Sequence, residues 1–121
     1  MNSKIIDCIT FFDNDFMFDL RYNILQNVVD YFVVCESKYD HRNNPKNINF
    51  QILEGYNRNK IKHIVLDKEF PKNNNIWENQ AYQREFLLNN LNFVDPEDYI
   101  FFSDPDEIPD PNVLKKFKLN K

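Results

Sequence analysis

The chain alternates between short dry segments and segments whose apolar residues recur at helical spacing. Residues 5–12 (Ile-Ile-Asp-Cys-Ile-Thr-Phe-Phe) are apolar and β-prone, the pattern of a buried strand. Asp13, Asn14 and Asp15 follow as a polar turn with helix-starting chemistry. Met17, Leu20, Ile24 and Val28 then recur three and four apart, which predicts an amphipathic helix over 15–29 with that face inward. Residues 31–35 (Tyr-Phe-Val-Val-Cys) predict a second strand, closed by Glu36 and Ser37. A polar loop with Pro45 covers 38–47, and 48–56 is ambiguous, with a short helix as one reading. A third strand is predicted over 61–66, a polar loop over 67–75, and a helix over 77–91 with Ala81, Leu88 and Leu91 on one face. Residues 99–102 form a fourth dry segment, and a last short helix over 112–117 is opened by Pro111.

Nearly continuous apolar strands alternating with helices predict an α/β fold, a mostly parallel sheet covered on both faces. Ligand crevices of such sheets lie beyond the carboxyl ends of the strands. Asp13, Glu36, Ser37, Asp67 and residues 103–107 occupy those positions. Most are carboxylates, which hold a phosphate through a divalent metal rather than directly. No internal repeat or linker divides the 121 residues, which fit one domain or part of one. Four strands and a terminal helix make a small open unit, which predicts the N-terminal half of a larger fold. Its unfinished sheet edge predicts cover by a missing C-terminal half or by a second copy in a homodimer.

Composition removes several classes. Fifteen Lys and Arg against nineteen Asp and Glu give a net charge of −4, without the basic surplus of a nucleic-acid or anionic-membrane binder. At 42% apolar and 16% aromatic the chain is too hydrophobic for disorder. The single glycine, Gly55, excludes every glycine-rich phosphate cradle. Cys8 and Cys35 sit in apolar runs without C-x-x-C spacing and read as reduced core thiols. No stretch approaches the roughly 20 apolar residues of a membrane span. The run from Met1 to Asp7 is not a signal peptide, so a cytoplasmic location is expected.

Ser103-Asp104-Pro105-Asp106-Glu107-Ile108-Pro109 carries the strongest chemistry. A dry strand delivers it to the rim of the sheet, and Pro105 stiffens it and keeps Asp104 out of helical geometry. Two such carboxylates suit Mg²⁺ or Mn²⁺, hard cations that share their ligands with substrate phosphates. An acidic turn capping the next segment is the plainer alternative. Arg84 lies three residues after Ala81 and four before Leu88, on the predicted apolar side. An arginine there needs an anion: Glu36, Asp104 or a ligand's diphosphate. Glu78 and Asn79 read as first-turn capping and dipole residues. His63, inside a strand, reads as structural, and His41, beside Arg42, as a loop residue or a ligand contact.

Residues 5–12, Asp19-Leu20-Arg21, residues 29–37, the run from Trp77-Glu78-Asn79 to Arg84, and Ser103-Asp104-Pro105-Asp106-Glu107-Ile108-Pro109 together resemble glycosyltransferase family 17, in order and over nearly the whole chain. The resemblance implies the A-type nucleotide-sugar glycosyltransferase fold, a Rossmann-like α/β/α sandwich, here its N-terminal half. It implies transfer of N-acetylglucosamine from a UDP-sugar donor, UDP-N-acetylglucosamine foremost, to a glycan acceptor hydroxyl, with Mn²⁺ or Mg²⁺ and inversion at the anomeric carbon. By position, Asp106 would bind the metal, and Asp104 the donor ribose or the metal. Thr10, Phe11 and Phe12 would border the nucleotide, Glu36 and Ser37 would line the same crevice, and Arg84 would orient the acidic turn or meet the diphosphate. The catalytic base is expected beyond Lys121. The loop Asn43-Asn44-Pro45-Lys46-Asn47 departs from the family's Gly-x-Pro-Lys-Pro pattern. A non-catalytic nucleotide-sugar or metal-binding module, and an inactive fragment lacking its acceptor half, remain the alternatives.

Overall fold

The computed structural model describes residues 3–119, without the side chains of Lys118 and Leu119. Met1 and Asn2, part of the N-terminal reading, lie outside the described residues. Four strands, β1 (Ile5–Phe11), β2 (Tyr31–Ser37), β3 (Ile61–Leu66) and β4 (Tyr99–Phe102), form one sheet in the order β3-β2-β1-β4. All three pairings are parallel. Three α-helices accompany them: α1 (Asp15–Leu25), α2 (Ile76–Asn89) and α3 (Pro111–Leu119). The expected α/β class is the observed one, and the architecture is consistent with a Rossmann-like fold. None of these helices is long and apolar enough to cross a membrane.

Register sorts the strand residues onto two faces, because neighbours in sequence point to opposite sides. Ile5, Ile9 and Phe11 of β1 join Phe32 and Val34 of β2 under Phe18, Tyr22 and Leu25 of α1 and Leu114 of α3. Ile6 and Cys8 join Val33 and Cys35 on the other face, under Leu87 of α2. The thiols of Cys8 and Cys35 are free and buried, as expected. Desolvation by burial raises both to about 12, so they stay protonated at neutral pH.

Several boundaries differ from expectation. β2 runs on through Glu36 and Ser37, both buried and paired with β3. Helix α1 stops at Leu25, short of Val29. Lys60 caps this end of the chain segment, its ammonium donating to the carbonyls of Gln26 at 2.7 Å and Val29 at 3.1 Å, groups left without a helical partner past the last turn. The inward face of α1 is Phe18, Arg21, Tyr22 and Leu25, whereas Leu20 and Ile24 are exposed. On α2, Leu88 is exposed and Ala81 only partly covered, and the buried positions are Asn79, Gln83 and Leu87. Asn75 and Glu78 form a reciprocal capping box at the start of α2. Residues 48–56 contain no helix: they cross the α1 face irregularly, inserting Phe50, Ile52 and Tyr56 into its core.

Candidate active site

The chain runs from β1 to β2 and β3 on one side and returns to β4 on the other side of β1. The sheet order therefore reverses between β1 and β4, and the crevice of an open parallel sheet lies at the carboxyl end of that junction. A cavity of about 530 Å³ occupies this position. Thr10 from β1, Phe102 from the end of β4 and Asp104 from the following turn form one side of it. Trp77, Gln80, Ala81 and Arg84 from α2, with His41, form the other.

Two polar side chains buried under α2 fix that second wall. Gln83 donates from Nε2 to the Cys35 carbonyl at 3.0 Å and meets the His41 ring with its Oε1 at 2.7 Å. Asn79 donates to the His41 carbonyl at 2.8 Å, a bond to a distant segment rather than the capping role expected of it. The loop before α2 is tied in by Asn43, whose amide both donates to and accepts from the Phe70 backbone at 3.0 and 2.9 Å. Asn43 has φ 69°, a left-handed conformation that asparagine tolerates better than most residues. Asp40 braces the same turn. Partial burial opposes its charged form, but hydrogen bonds from Asn44 and Arg42 outweigh that and hold its pKa below the ordinary value.

Arg84 is exposed, not on a buried apolar side. Its guanidinium lies 5.9 Å from the centre of the Phe102 ring, in a cation–π contact at the cavity wall. It makes no ion pair with Glu36 or Asp104 among the described residues. Glu36 is fully buried and engaged elsewhere. Its carboxylate accepts from the backbone N–H groups of Asn49 at 2.6 Å and Phe50 at 3.1 Å, pairs with the Lys46 ammonium at 3.4 Å and meets His63 Nε2 at 3.1 Å. It holds the 46–50 segment and does not line the cavity. Ser37 is also buried, its hydroxyl accepting from the Tyr39 N–H at 3.0 Å. Phe11 packs edge-on against Phe50 in the core, while Phe12 is 51% exposed with the Lys46 ammonium 5.3 Å from its ring. The cavity thus brings together Thr10, Arg84 and Asp104 from the expected set, and leaves Phe11, Phe12, Glu36 and Ser37 outside its lining.

Arg21 went unassigned in the sequence reading. It is 0% exposed, and its guanidinium makes a two-pronged pair with Asp7, both contacts at 2.6 Å. From there it reaches the turn after β4, donating to Ser103 Oγ at 2.6 Å and to the carbonyls of Asp104 and Glu107 at 3.1 Å each. Two signals pointed to it. Asp7 is a charge inside a dry strand, and Arg21 falls three residues after Phe18 and four before Leu25. Buried charges need each other.

The turn presents Asp104, Asp106 and Glu107 exposed to solvent. No group of three or more metal-ligating side chains occurs among the described residues. The carboxylates of Asp104 and Asp106 accept no hydrogen bond within the described residues, whereas Glu107 accepts from the Asp104 N–H at 3.1 Å. Two free hard oxygen donors fit Mg²⁺ or Mn²⁺, which characteristically take one or two carboxylates and complete their shell with water and substrate phosphates. Asp104 borders the cavity, and Asp106 is outside its lining.

The family described as Glycosyltransferase family 17 matches residues 1–120. The beta-1,4-mannosyl-glycoprotein 4-beta-N-acetylglucosaminyltransferase of Rattus norvegicus is 32% identical over 117 residues, covering 88% of this chain and 22% of the rat protein. The Homo sapiens protein of the same name is 34% identical over 104 residues, covering 77% of this chain and 19% of its own. The chain thus spans about a fifth of the length of the curated relatives it matches. No solved structure gives a significant match. On the match from residue 1 to residue 120, the chain belongs to glycosyltransferase family 17.

Proposed function

We propose that this chain binds the nucleotide-sugar donor of an N-acetylglucosaminyltransferase, with UDP-N-acetylglucosamine as donor, a glycan hydroxyl as acceptor and inversion at the anomeric carbon. One observation carries the reading. The end of β1 at Thr10 and the acidic turn after β4 at Asp104 open on a single cavity at the place where the strand order reverses. The names of the relatives supply the sugar.

Each residue then has a task. Thr10 offers a hydroxyl to the nucleotide. Asp104 and Asp106 hold Mn²⁺ or Mg²⁺, with Asp104 also within the donor's reach at the cavity wall. When bound, such a cation offsets the negative charge that develops on a departing diphosphate. Arg84 binds the same diphosphate from the opposite wall, its fork suited to two phosphate oxygens. Trp77, 75% exposed at the rim, offers an aromatic face to the base or the sugar. Phe11, Glu36 and Ser37 support these groups from the interior.

Calorimetric titration of UDP-N-acetylglucosamine tests the reading, run with Mn²⁺, then with EDTA, then on Asp106→Ala. Binding that needs the metal and disappears in the variant is the expected result. A folded protein that binds no donor with or without metal would overturn it. Turnover on a glycan acceptor separates an enzyme from a binding module.

A further inference from the structure

We infer that Asp7 and Arg21 form a positioning pair for the acidic turn, setting where Asp104 and Asp106 point without touching a ligand. The inference rests on the donor-binding reading above.

The guanidinium has five N–H donors, and all are accounted for. Nε and one N–H of Nη2 go to the two oxygens of Asp7 at 2.6 Å each. The other N–H of Nη2 goes to Ser103 Oγ at 2.6 Å. Nη1 serves the carbonyls of Asp104 and Glu107 at 3.1 Å, with Pro105 more distant at 3.4 Å. Ser103 Oγ closes the arrangement by donating to the Glu107 carbonyl at 2.9 Å. Three backbone carbonyls of the turn are thus drawn inward onto one buried cation, and the carboxylates of Asp104 and Asp106 are left outward. The turn is also held at its two ends, by the Ser103 N–H to the Cys8 carbonyl at 3.4 Å and by Ile108 packing against the core under α1. Within it, only the Glu107 N–H to Asp104 carbonyl bond at 2.9 Å and the Asp104 N–H to Glu107 carboxylate bond add to these contacts among the described residues.

Charge matters as much as geometry. Asp7 is 1% exposed and neutralises Arg21 within the pair. The pair therefore fixes the turn without setting a net positive charge behind a cation site. A lone buried arginine would repel the very metal its turn is to hold. Lysine cannot replace it. Its compact ammonium has three donors and cannot serve both Asp7 oxygens, a hydroxyl and two carbonyls at once.

The test is the affinity of Mn²⁺ for the protein in the presence of UDP, read from the loss of the free-ion EPR signal well below the melting temperature. Arg21→Lys is expected to weaken it roughly ten- to a hundredfold, the scale of losses when a group orienting a metal ligand is removed. Ser103→Ala, which leaves the Asp7 pair intact, is expected to weaken it several-fold and serves as the deciding variant if Arg21→Lys does not fold. Val29→Ala removes core contacts away from the turn, and is expected to lower the melting temperature with affinity unchanged. Wild-type affinity in folded Ser103→Ala and Arg21→Lys would overturn the positioning role alone. Absence of Mn²⁺–UDP binding to the wild-type protein would overturn the donor reading and this inference with it.

Discussion

The two faces of the sheet are built differently. Among the described residues, twelve buried apolar side chains form one cluster under α1 and α3, while the cluster under α2 has five, so hydrophobic stability is concentrated on the first. Phe18 is the hub of the larger cluster, with ring contacts to Tyr22, Phe32, Phe50 and Tyr56. Under α2, inward positions are given to Asn79 and Gln83, whose hydrogen bonds shape a cavity wall. One face holds the domain together and the other shapes its opening. The Asp7–Arg21 pair links the first to the opening, reaching from the α1 side to the turn at the rim.

The contrast can be broken from either side. Phe18→Ala should cost about 3–5 kcal/mol in urea-induced unfolding. That is a large part of the whole for a domain of this size, and donor affinity of the remaining folded protein should be unchanged. Alkaline pH attacks the α2 side, where both thiols lie. Their folded pKa values, raised to about 12, exceed an ordinary 9.0, so the stability is full below pH 9 and is lost as pH rises toward 12. Each thiol withdraws about 1.4 kcal/mol per pH unit within that window. Cys→Ser variants would flatten the profile, and at pH 8 the native thiols should resist a disulfide reagent that labels the unfolded chain. Gln83→Leu should cost about 1–3 kcal/mol by orphaning the partners of a buried amide, yet weaken UDP binding by loosening His41. Asn75→Ala removes the cap of α2 and should cost about 1 kcal/mol in thermal melts. The smallest effect is expected at Leu20→Ala, within about 0.5 kcal/mol for an outward position. A loss at Leu20 comparable to that at Phe18 would show the opposite face of α1 to be the packed one.

All four strands were legible because parallel strands covered on both faces must be apolar almost throughout, as β1 and β2 are. The cavity's place followed from that class. The face of α1 was not legible, because the helix is apolar on two sides. Phe16, Leu20 and Ile24 recur as regularly as Phe18, Tyr22 and Leu25, and only packing decides between them. The inward face of α2 escaped for the opposite reason. Asn79 and Gln83 look like solvent-facing residues until the carbonyls of His41 and Cys35 are seen to need donors. Arg84 was assigned an apolar environment from its spacing to Ala81 and Leu88, and those two residues proved poor markers of burial. Glu36 drew attention at a strand end, but a carboxylate there can also gather backbone N–H groups from a crossing loop, which periodicity does not register.

The Gln83 amide settles a question of tautomers. A carbonyl cannot donate, so the nitrogen of Gln83 must face Cys35 and its oxygen must face His41. The His41 Nε2 is therefore a donor, its N–H pointing at the Gln83 oxygen. A peptide group inside the sheet thus dictates the hydrogen-bonding polarity of a residue on the cavity wall, and nitrogen-15 spectroscopy of that imidazole would report whether the contact is made.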